Sequence, residues 1–105
     1  MSAPIALIVG SLHYDIMVEA SHLPRKDETA VGSKWYPKFG GKGGNQAVSC
    51  AKQGAPARML GAIGADEFGQ FLRHGLSQAG VDHQHVVEVS NVGSGMSVAI
   101  MDAAG

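Results

Sequence analysis

Two kinds of apolar pattern follow one another along the chain. Residues 5–9 are a continuous apolar run, which predicts a strand buried on both faces, as in a parallel sheet. Residues 58–63 are a second buried strand. Residues 15–20 alternate between polar and apolar side chains, which predicts a strand with one exposed face. Residues 29–39 form a further exposed strand region, and Pro37 would place it at a sheet edge.

Two segments show the spacing of amphipathic helices. The first covers about residues 45–53 and ends at Gly54, a natural C-terminal cap. The second begins after Asp66, a typical N-terminal capping residue, and ends at Gly80. The apolar faces consist of Ala47, Val48 and Ala51 in the first helix and of Phe68, Phe71, Leu72 and Leu76 in the second.

The order of these elements predicts an α/β domain. Strands and helices alternate, and further strands follow at about residues 85–89 and 96–101. The exposed strands between residues 15 and 39 are then an insertion, which we interpret as a lid on the α/β body. The last strand leads into a turn at residues 102–105, so we expect its partner strand beyond the end and the chain to be the N-terminal part of a longer protein. The alternative is a complete small domain.

Composition removes several classes of function. The chain has 105 residues, of which 45% are hydrophobic, so it should bury a core. Its formal net charge is −1 and its 8 basic residues are scattered, which argues against a nucleic-acid partner. The first apolar run is too short for a membrane span and lacks the basic start of a signal peptide. A single cysteine fits a reducing compartment, so we expect a cytoplasmic protein without a membrane partner.

The glycine-rich stretch FGGKGGNQ at residues 39–46 is the main candidate for chemistry. A phosphate-binding loop would need Ser or Thr after Lys42, but Gly43 stands there. A dinucleotide fingerprint would need a third glycine at Gln46, so that motif fails as well. Glycines before a helix let a ligand approach the backbone, and Lys42 and Asn45 add hydrogen-bonding groups. This mixture suits a polyhydroxylated ligand; the alternative is a flexible turn with a helix cap.

A second candidate lies just after the first strand. Ligands of open α/β sheets bind beyond the carboxyl ends of the strands, and His13 and Asp15 lie there. A carboxylate accepts hydrogen bonds only, so Asp15 could hold two sugar hydroxyls. Alternatively, both side chains belong to an ordinary turn. We interpret His83 and His85 as part of a solvated loop rather than a metal site, and Cys50 as a core residue.

These motifs resemble one known family. The segment from Gly40 to Ala47, followed by Gly54-Ala55 and by residues 61–69 (GAIGADEFG), is similar to the N-terminal signature of the ribokinase (PfkB-type) carbohydrate kinases. The fuller run G-G-K-G-x-N-Q-A is more particular to the ribokinases within that family. The resemblance implies the N-terminal portion of a single ribokinase-like α/β sandwich with a small β-sheet lid, and a homodimer formed through that lid.

The resemblance also implies a set of sugar contacts. In the family, an Asn-x-Asp pair after the first strand binds the sugar; here Asp15 matches the aspartate, and His13 stands in place of the asparagine. This departure weakens the case for strict ribose specificity. The implied contacts of the substrate are His13, Asp15, Gly41, Lys42, Gly43, Gly44, Asn45 and Ser97, with Gly44 where ribokinases usually have alanine.

The family transfers the γ-phosphoryl group of ATP to a sugar hydroxyl, as from D-ribose to ribose 5-phosphate. The resemblance therefore implies ATP and Mg²⁺, with a monovalent cation such as K⁺ as a further candidate. The catalytic base of the family is an aspartate in a later Gly-Ala-Gly-Asp motif, so we expect no catalytic residue in this chain, and we interpret Asp66 of Gly-Ala-Asp as a helix cap. A nucleoside kinase of the family and a non-catalytic sugar-binding or dimerisation module remain alternatives.

Overall fold

The fold is a mixed α/β arrangement of two small sheets and two helices, as the alternation of patterns predicts. The structure, a computed structural model, describes residues 5–102. Its elements in chain order are β1 (Ala6–Val9), β2 (His13–Glu19), β3 (Lys34–Gly40), α1 (Lys42–Lys52), β4 (Ala57–Gly64), α2 (Glu67–Gln78), β5 (Asp82–Val89) and β6 (Gly95–Met101).

The body of the molecule is a parallel sheet with the strand order β1-β4-β5. Both helices pack on the face that carries Met59 and Ile63 of the central strand β4. Helices are the usual connection between parallel strands, because the chain must return to the end of the sheet at which every strand begins. The core consists of Leu12, Ala47, Ala57, Met59, Ile63, Leu72, Leu76, Val81 and Val86.

The prediction that β1 is buried on both faces is wrong for the described residues. Its side chains alternate, and Leu7 and Val9 are 59% and 74% exposed. They lie on the face of the sheet opposite to the two helices, where Val87 and Val89 of β5 are also exposed. A continuous apolar run shows that both faces could be buried, but burial itself depends on a second layer of structure.

The predicted lid is a separate three-stranded sheet, which we call the lid sheet, with the order β3-β2-β6. β2 pairs with β3 in antiparallel and with β6 in parallel orientation. Pro37 lies on the edge strand β3, as expected. Within the described residues, β6 pairs with β2 and its other edge has no strand beside it, so a further partner strand beyond the end stays a prediction. The predicted turn extends to residues 103–105, which lie outside the described residues.

Both helices end where glycines predict. Gly54 and Gly80 follow α1 and α2 with φ angles of 88° and 80°, a backbone conformation in which only glycine avoids strain. α2 begins after Asp66, as predicted. α1 begins three residues earlier than predicted, at Lys42, because Gly41 with a φ angle of 95° already turns the chain into the helix.

Three residues outside the candidate site, His83, His85 and Cys50, belong to the regular elements of the fold. The prediction of a loop at His83 and His85 is wrong, since both belong to β5. Arg73 of α2 donates to the backbone oxygens of His83 and Val86 at 3.1 and 2.6 Å, which links α2 to β5. Cys50 packs against the core, as expected. In the part of the chain that the structure describes, neither helix has the length and apolar character needed to cross a membrane.

Candidate functional site

Asp15 and Ser97 form the centre of the candidate site. They are direct neighbours in the parallel pairing of β2 with β6, so their side chains lie on the same face of the lid sheet. The hydroxyl of Ser97 donates to Oδ1 of Asp15 at 2.7 Å. This hydrogen bond fixes one carboxylate oxygen and leaves lone pairs on both oxygens for a ligand.

Gly40 gives the carboxylate of Asp15 its space. A Cβ atom at Gly40 would overlap with both oxygens and the carboxyl carbon of Asp15. The cross-strand partner of Asp15 on β3 is Lys38, so the ammonium group of Lys38 extends from the same face of the lid sheet. The carboxylate of Asp15 thus lies against Gly40, between the hydroxyl of Ser97 on β6 and Lys38 on β3.

His13 is seated on a second glycine. It pairs with Gly95 of β6, and a Cβ atom at Gly95 would lie 2.7 Å from Cδ2 and 3.3 Å from Nε2 of the imidazole. The ring therefore rests against the backbone of β6, on the face that also carries Asp15 and Ser97. The structure brings together His13, Asp15 and Ser97, three of the side chains that the sequence predicts as ligand contacts.

The glycines of the loop pack α1 closely against the connection between β1 and β2. A Cβ atom at Gly41 would lie 2.5 Å from the backbone oxygen of Ser11, and one at Gly43 would lie 2.7 Å from Cα of Gly10. A Cβ atom at Gly44 would lie 2.8 Å from side-chain atoms of Leu12 and Phe39. The first turn of α1 thus reaches the same chain segment that leads into His13.

This packing corrects one expectation about the loop. The sequence suggests free backbone N–H groups, but the N–H of Gly44 donates to the oxygen of Ser11 at 3.0 Å. The N–H of Asn45 donates to the oxygen of Gly41 at 2.9 Å, as part of the first helical turn. These two donors hold the helix in place and are not available to a ligand.

Lys42 and Asn45 are exposed on the first turn of α1. Neither side chain has a hydrogen-bond partner within residues 5–102. The structure therefore does not join them to Asp15 by a direct contact. Asn45 borders a surface depression of about 420 Å³ between the helices, which is also lined by Lys38, Phe39, Val48, Lys52, Gly75, Gln78 and Ala79.

Asp66 caps α2, as the sequence predicts. Its Oδ1 accepts from the N–H of Gly69 at 2.8 Å. The same carboxylate binds Ser94, the residue before β6, through the Ser94 N–H at 2.9 Å and the Ser94 hydroxyl at 2.7 Å. These hydrogen bonds, those from Ser94 first, lower the pKa of Asp66 because they stabilise the charged carboxylate.

Four residues of this region escaped the sequence prediction: Lys38, Gly40, Ser94 and Gly95. Lys38, Gly40 and Gly95 matter because of partners on a neighbouring strand, and Ser94 matters because of Asp66 at the start of α2, so only the tertiary structure reveals these contacts. Gly95, the first residue of β6, was visible in the sequence, but nothing local shows that an imidazole rests on it. Sequence spacing alone carries no signal for such pairs.

The arrangement combines hydrogen-bond acceptors and donors on one face. Asp15 only accepts, a neutral imidazole at His13 accepts with one nitrogen and donates with the other, and Lys38 only donates. Sugar hydroxyls donate and accept at the same atom, so such a surface suits them better than it suits a phosphate group. Lys42 and Asn45, which the sequence also predicts as ligand contacts, lie on the first turn of α1.

The geometry agrees with a match to known proteins. The family model described as pfkB family carbohydrate kinase matches residues 6–105, and the chain belongs to this family. Its fold is accordingly the α/β fold of the ribokinase-like carbohydrate kinases.

Several of the individual relatives are ribokinases. The chain is 32% identical to the ribokinase of Haemophilus influenzae and 34% identical to that of Bacillus subtilis, over 86% and 84% of its length. Among solved structures, it matches Arabidopsis thaliana ribokinase complexed with ribose and ATP with a TM-score of 0.87 and 34% identity over 100% of this chain. The chain spans about a third of the length of these proteins: 29%, 30% and 34% of each.

Proposed function

We propose that the complete protein transfers the γ-phosphoryl group of ATP to a hydroxyl of a sugar, with D-ribose to ribose 5-phosphate as the leading reaction. This segment supplies the sugar-binding site and the lid. The observation that carries the proposal is the carboxylate of Asp15, held by Ser97 at 2.7 Å and seated on Gly40 in a chain of the pfkB family. A relative of 34% identity is complexed with ribose and ATP, which supports ribose as the substrate.

Each residue of the site has a role in binding the sugar. Asp15 accepts from two neighbouring hydroxyls, and Ser97 keeps the carboxylate oriented for them. The imidazole of His13, which lies against Gly95, forms a hydrogen bond with a further hydroxyl. Lys42, Asn45 and Gly41 close the sugar from the side of α1, and the buried Gly43 and Gly44 hold this helical turn against residues 10–12. Because fixed partners accept these hydroxyls, a sugar that lacks one leaves a polar group unpaired and is rejected.

The transfer step needs groups that the resemblance places in the remaining part of the protein. ATP supplies the phosphoryl group and Mg²⁺ neutralises its charge, with K⁺ as a candidate monovalent activator. The residues described here would act by binding and orienting the sugar and by excluding water beneath the lid sheet. Positioning of this kind supplies a large share of the rate acceleration in phosphoryl transfer.

A substrate panel tests the proposed reaction. The complete protein should phosphorylate ribose in preference to deoxyribose, fructose, adenosine and pseudouridine, measured as kcat/KM with ATP. A preference for adenosine or pseudouridine would favour the second candidate, a nucleoside kinase, because the imidazole of His13 could contact a group other than a pentose hydroxyl. Ribose binding without turnover of ATP would instead favour a non-catalytic sugar-binding module.

His13 is the residue whose replacement should change the preference among sugars. An amide can donate and accept through two atoms of one short group, whereas the imidazole spans more space over Gly95. We expect His13→Asn to shift the kcat/KM ratio of ribose to deoxyribose by about tenfold. The control is His74→Asn, an exposed histidine on α2, which should leave the ratio unchanged. An unchanged ratio in His13→Asn would show that His13 does not read the sugar.

We also propose that the lid sheet forms a homodimer. Its second face, opposite to Asp15, carries the cross-strand rows Trp35–Val18–Ile100 and Pro37–Ile16–Val98. Trp35 and Val98 are 66% and 55% exposed. Tyr14, on the same face, is covered by Phe68 and Phe71 of α2 at ring distances of 4.4 and 5.0 Å, so only the outer part of the face is open. Exposed apolar patches of this kind mark interaction surfaces.

Trp35→Lys should separate the two subunits. A lysine at the centre of the apolar face would place a charge in the dimer interface, so the variant should elute as a monomer in size-exclusion chromatography with light scattering. Leu23→Lys is the control, because Leu23 is 54% exposed in the connection between β2 and β3 and not on the lid sheet. A monomeric wild-type protein, or a dimer that survives Trp35→Lys, would contradict this interface.

Location of the protein in the cytoplasm stays a prediction.

A further inference from the structure

A compact hydrogen-bond network joins the start of β6 to the start of α2 and the end of β4. Ser94 donates to Asp66 through its N–H at 2.9 Å and through its hydroxyl at 2.7 Å. The hydroxyl oxygen of Ser94 in turn accepts from the N–H of Gly64 at 2.9 Å. Three of the four hydrogen bonds around the carboxylate and hydroxyl thus involve Ser94, and the fourth caps α2 through Gly69.

The turn before β6 lies directly on Gly64. A Cβ atom there would overlap with the backbone oxygen of Val92 and would lie 2.5 Å from the nitrogen of Ser94. The turn is therefore held by a close backbone contact as well as by the hydrogen bonds. Ser94 is fixed relative to the α/β body, although β6 itself belongs to the lid sheet.

The position of Ser94 decides which side chains of β6 face the site. β6 lies at one edge of the lid sheet and pairs with β2 alone among the described strands. A shift of its register by one residue would turn every side chain to the opposite face. Gly95 would then leave His13, and Ser97 would leave Asp15.

From this geometry we propose that Asp66 is a positioning residue of the sugar site. By holding Ser94, it sets the register of β6 and so keeps Gly95 beneath the imidazole of His13 and Ser97 on the carboxylate of Asp15. Asp66 contacts no substrate and acts only through these residues. The inference rests on the proposed function, because it assigns Asp66 to the sugar site described above.

The charge of Asp66 supports this role. Its pKa is lowered, chiefly by the backbone and hydroxyl hydrogen bonds from Ser94, so the group is a carboxylate at neutral pH. A carboxylate accepts all three hydrogen bonds from Ser94 and Gly69 at once, which an amide cannot do. Helix capping alone would need only one of its oxygens.

Two variants separate the positioning role from the capping role. Asp66→Asn keeps an oxygen for the N–H of Gly69, and asparagine caps helices as well as aspartate does. Its amide nitrogen would instead face the N–H of Ser94, donor against donor. Ser94→Ala leaves the cap untouched and removes the hydroxyl. Ser94→Thr keeps both donors and is the conservative control.

In the complete protein, we expect Asp66→Asn and Ser94→Ala each to raise the KM for the sugar about tenfold, as the loss of hydrogen bonds to a charged group would do. The KM for ATP and the circular dichroism of the helices should stay near the wild-type values, and Ser94→Thr should behave as wild type. An unchanged sugar KM in both variants, or equal rises in the KM for sugar and ATP, would overturn the inference.

A second measurement does not depend on kinase activity. Cross-strand NMR contacts between β2 and β6 should weaken in Ser94→Ala and persist in Ser94→Thr. If the wild-type protein phosphorylates no sugar but these contacts weaken as expected, the proposed function fails and the structural role of Asp66 stands. If the contacts persist in Ser94→Ala, the positioning role is refuted whatever the activity.

Discussion

Asp15→Ala should abolish sugar phosphorylation by the complete protein while ATP binding survives. The carboxylate of Asp15 is the acceptor-only group at the centre of the site, and Ser97 orients it through a hydrogen bond of 2.7 Å. Removing it leaves the sugar hydroxyls without their fixed partner, and sites built on such hydrogen bonds discriminate by factors of about 10⁴. We therefore expect kcat/KM for the sugar to fall by at least about 10³-fold. Isothermal titration with ATP should give a dissociation constant close to that of the wild type.

Graded variants show which property of Asp15 matters. Asp15→Asn keeps the shape but adds donors, so it should lose nearly as much activity as Asp15→Ala. Ser97→Ala removes only the orienting hydroxyl and should cost about tenfold. Glu88→Ala is the matched control, since Glu88 is an exposed carboxylate on β5. Wild-type turnover in Asp15→Ala would refute the role of Asp15 in sugar binding.

The sequence predicts those features of the fold that depend on neighbouring residues. The strand β2, the two helices α1 and α2, and the cap at Asp66 follow from local patterns, and the structure confirms these elements. The predicted exposed face of β2 is not seen, because every residue of the strand is half-buried. Gly54 and Gly80 mark helix ends for the same reason. The family match also follows from a contiguous motif at residues 40–47.

Features that depend on a distant partner could not be predicted in this way. The exposure of Leu7 and Val9 depends on which layers cover the body sheet, and the apolar run does not contain that information. The contacts of Asp15 with Ser97 and of His13 with Gly95 depend on the register between β2 and β6. The sequence suggested Ser97 through the family resemblance alone.

The glycine loop at residues 39–46 shows within one motif that the sequence does not reveal contacts with distant parts of the chain. The sequence suggests that its glycines make room for a ligand, and the structure shows that Gly41, Gly43 and Gly44 make room for the chain itself. Gly43 and Gly44 are buried inside the first turn of α1, against Gly10 and Leu12. Contact of these two backbone positions with a sugar remains a prediction, whereas their role in packing follows from the geometry.

Gly43→Ala should destabilise the protein strongly, although it replaces a helical glycine by the best helix former. Helix propensity alone would stabilise the variant by about 1 kcal/mol. A Cβ atom at this position would lie 2.7 Å from both Cα and the carbonyl carbon of Gly10, and backbone atoms cannot rotate away as a side chain can. Overpacking of this kind costs about 1–3 kcal/mol and occasionally more, and here it would also separate α1 from β1. Because the contact is with backbone atoms, we place the cost at the upper end, about 3 kcal/mol, so the net loss in the free energy of unfolding is about 2 kcal/mol.

Urea unfolding of the complete protein measures this loss, with two variants of α1 and its end as controls. Ser49→Ala changes an exposed side chain of the helix and should stay within about 0.5 kcal/mol of the wild type. At Gly54 a Cβ atom would meet nothing within 4 Å, but the φ angle of 88° makes alanine strained, so Gly54→Ala should cost about 1 kcal/mol. The expected order of stability is Ser49→Ala, then Gly54→Ala, then Gly43→Ala. If Gly43→Ala were more stable than the wild type, the close contact between α1 and Gly10 would be wrong, and the loop would have room for a ligand where the structure places the chain.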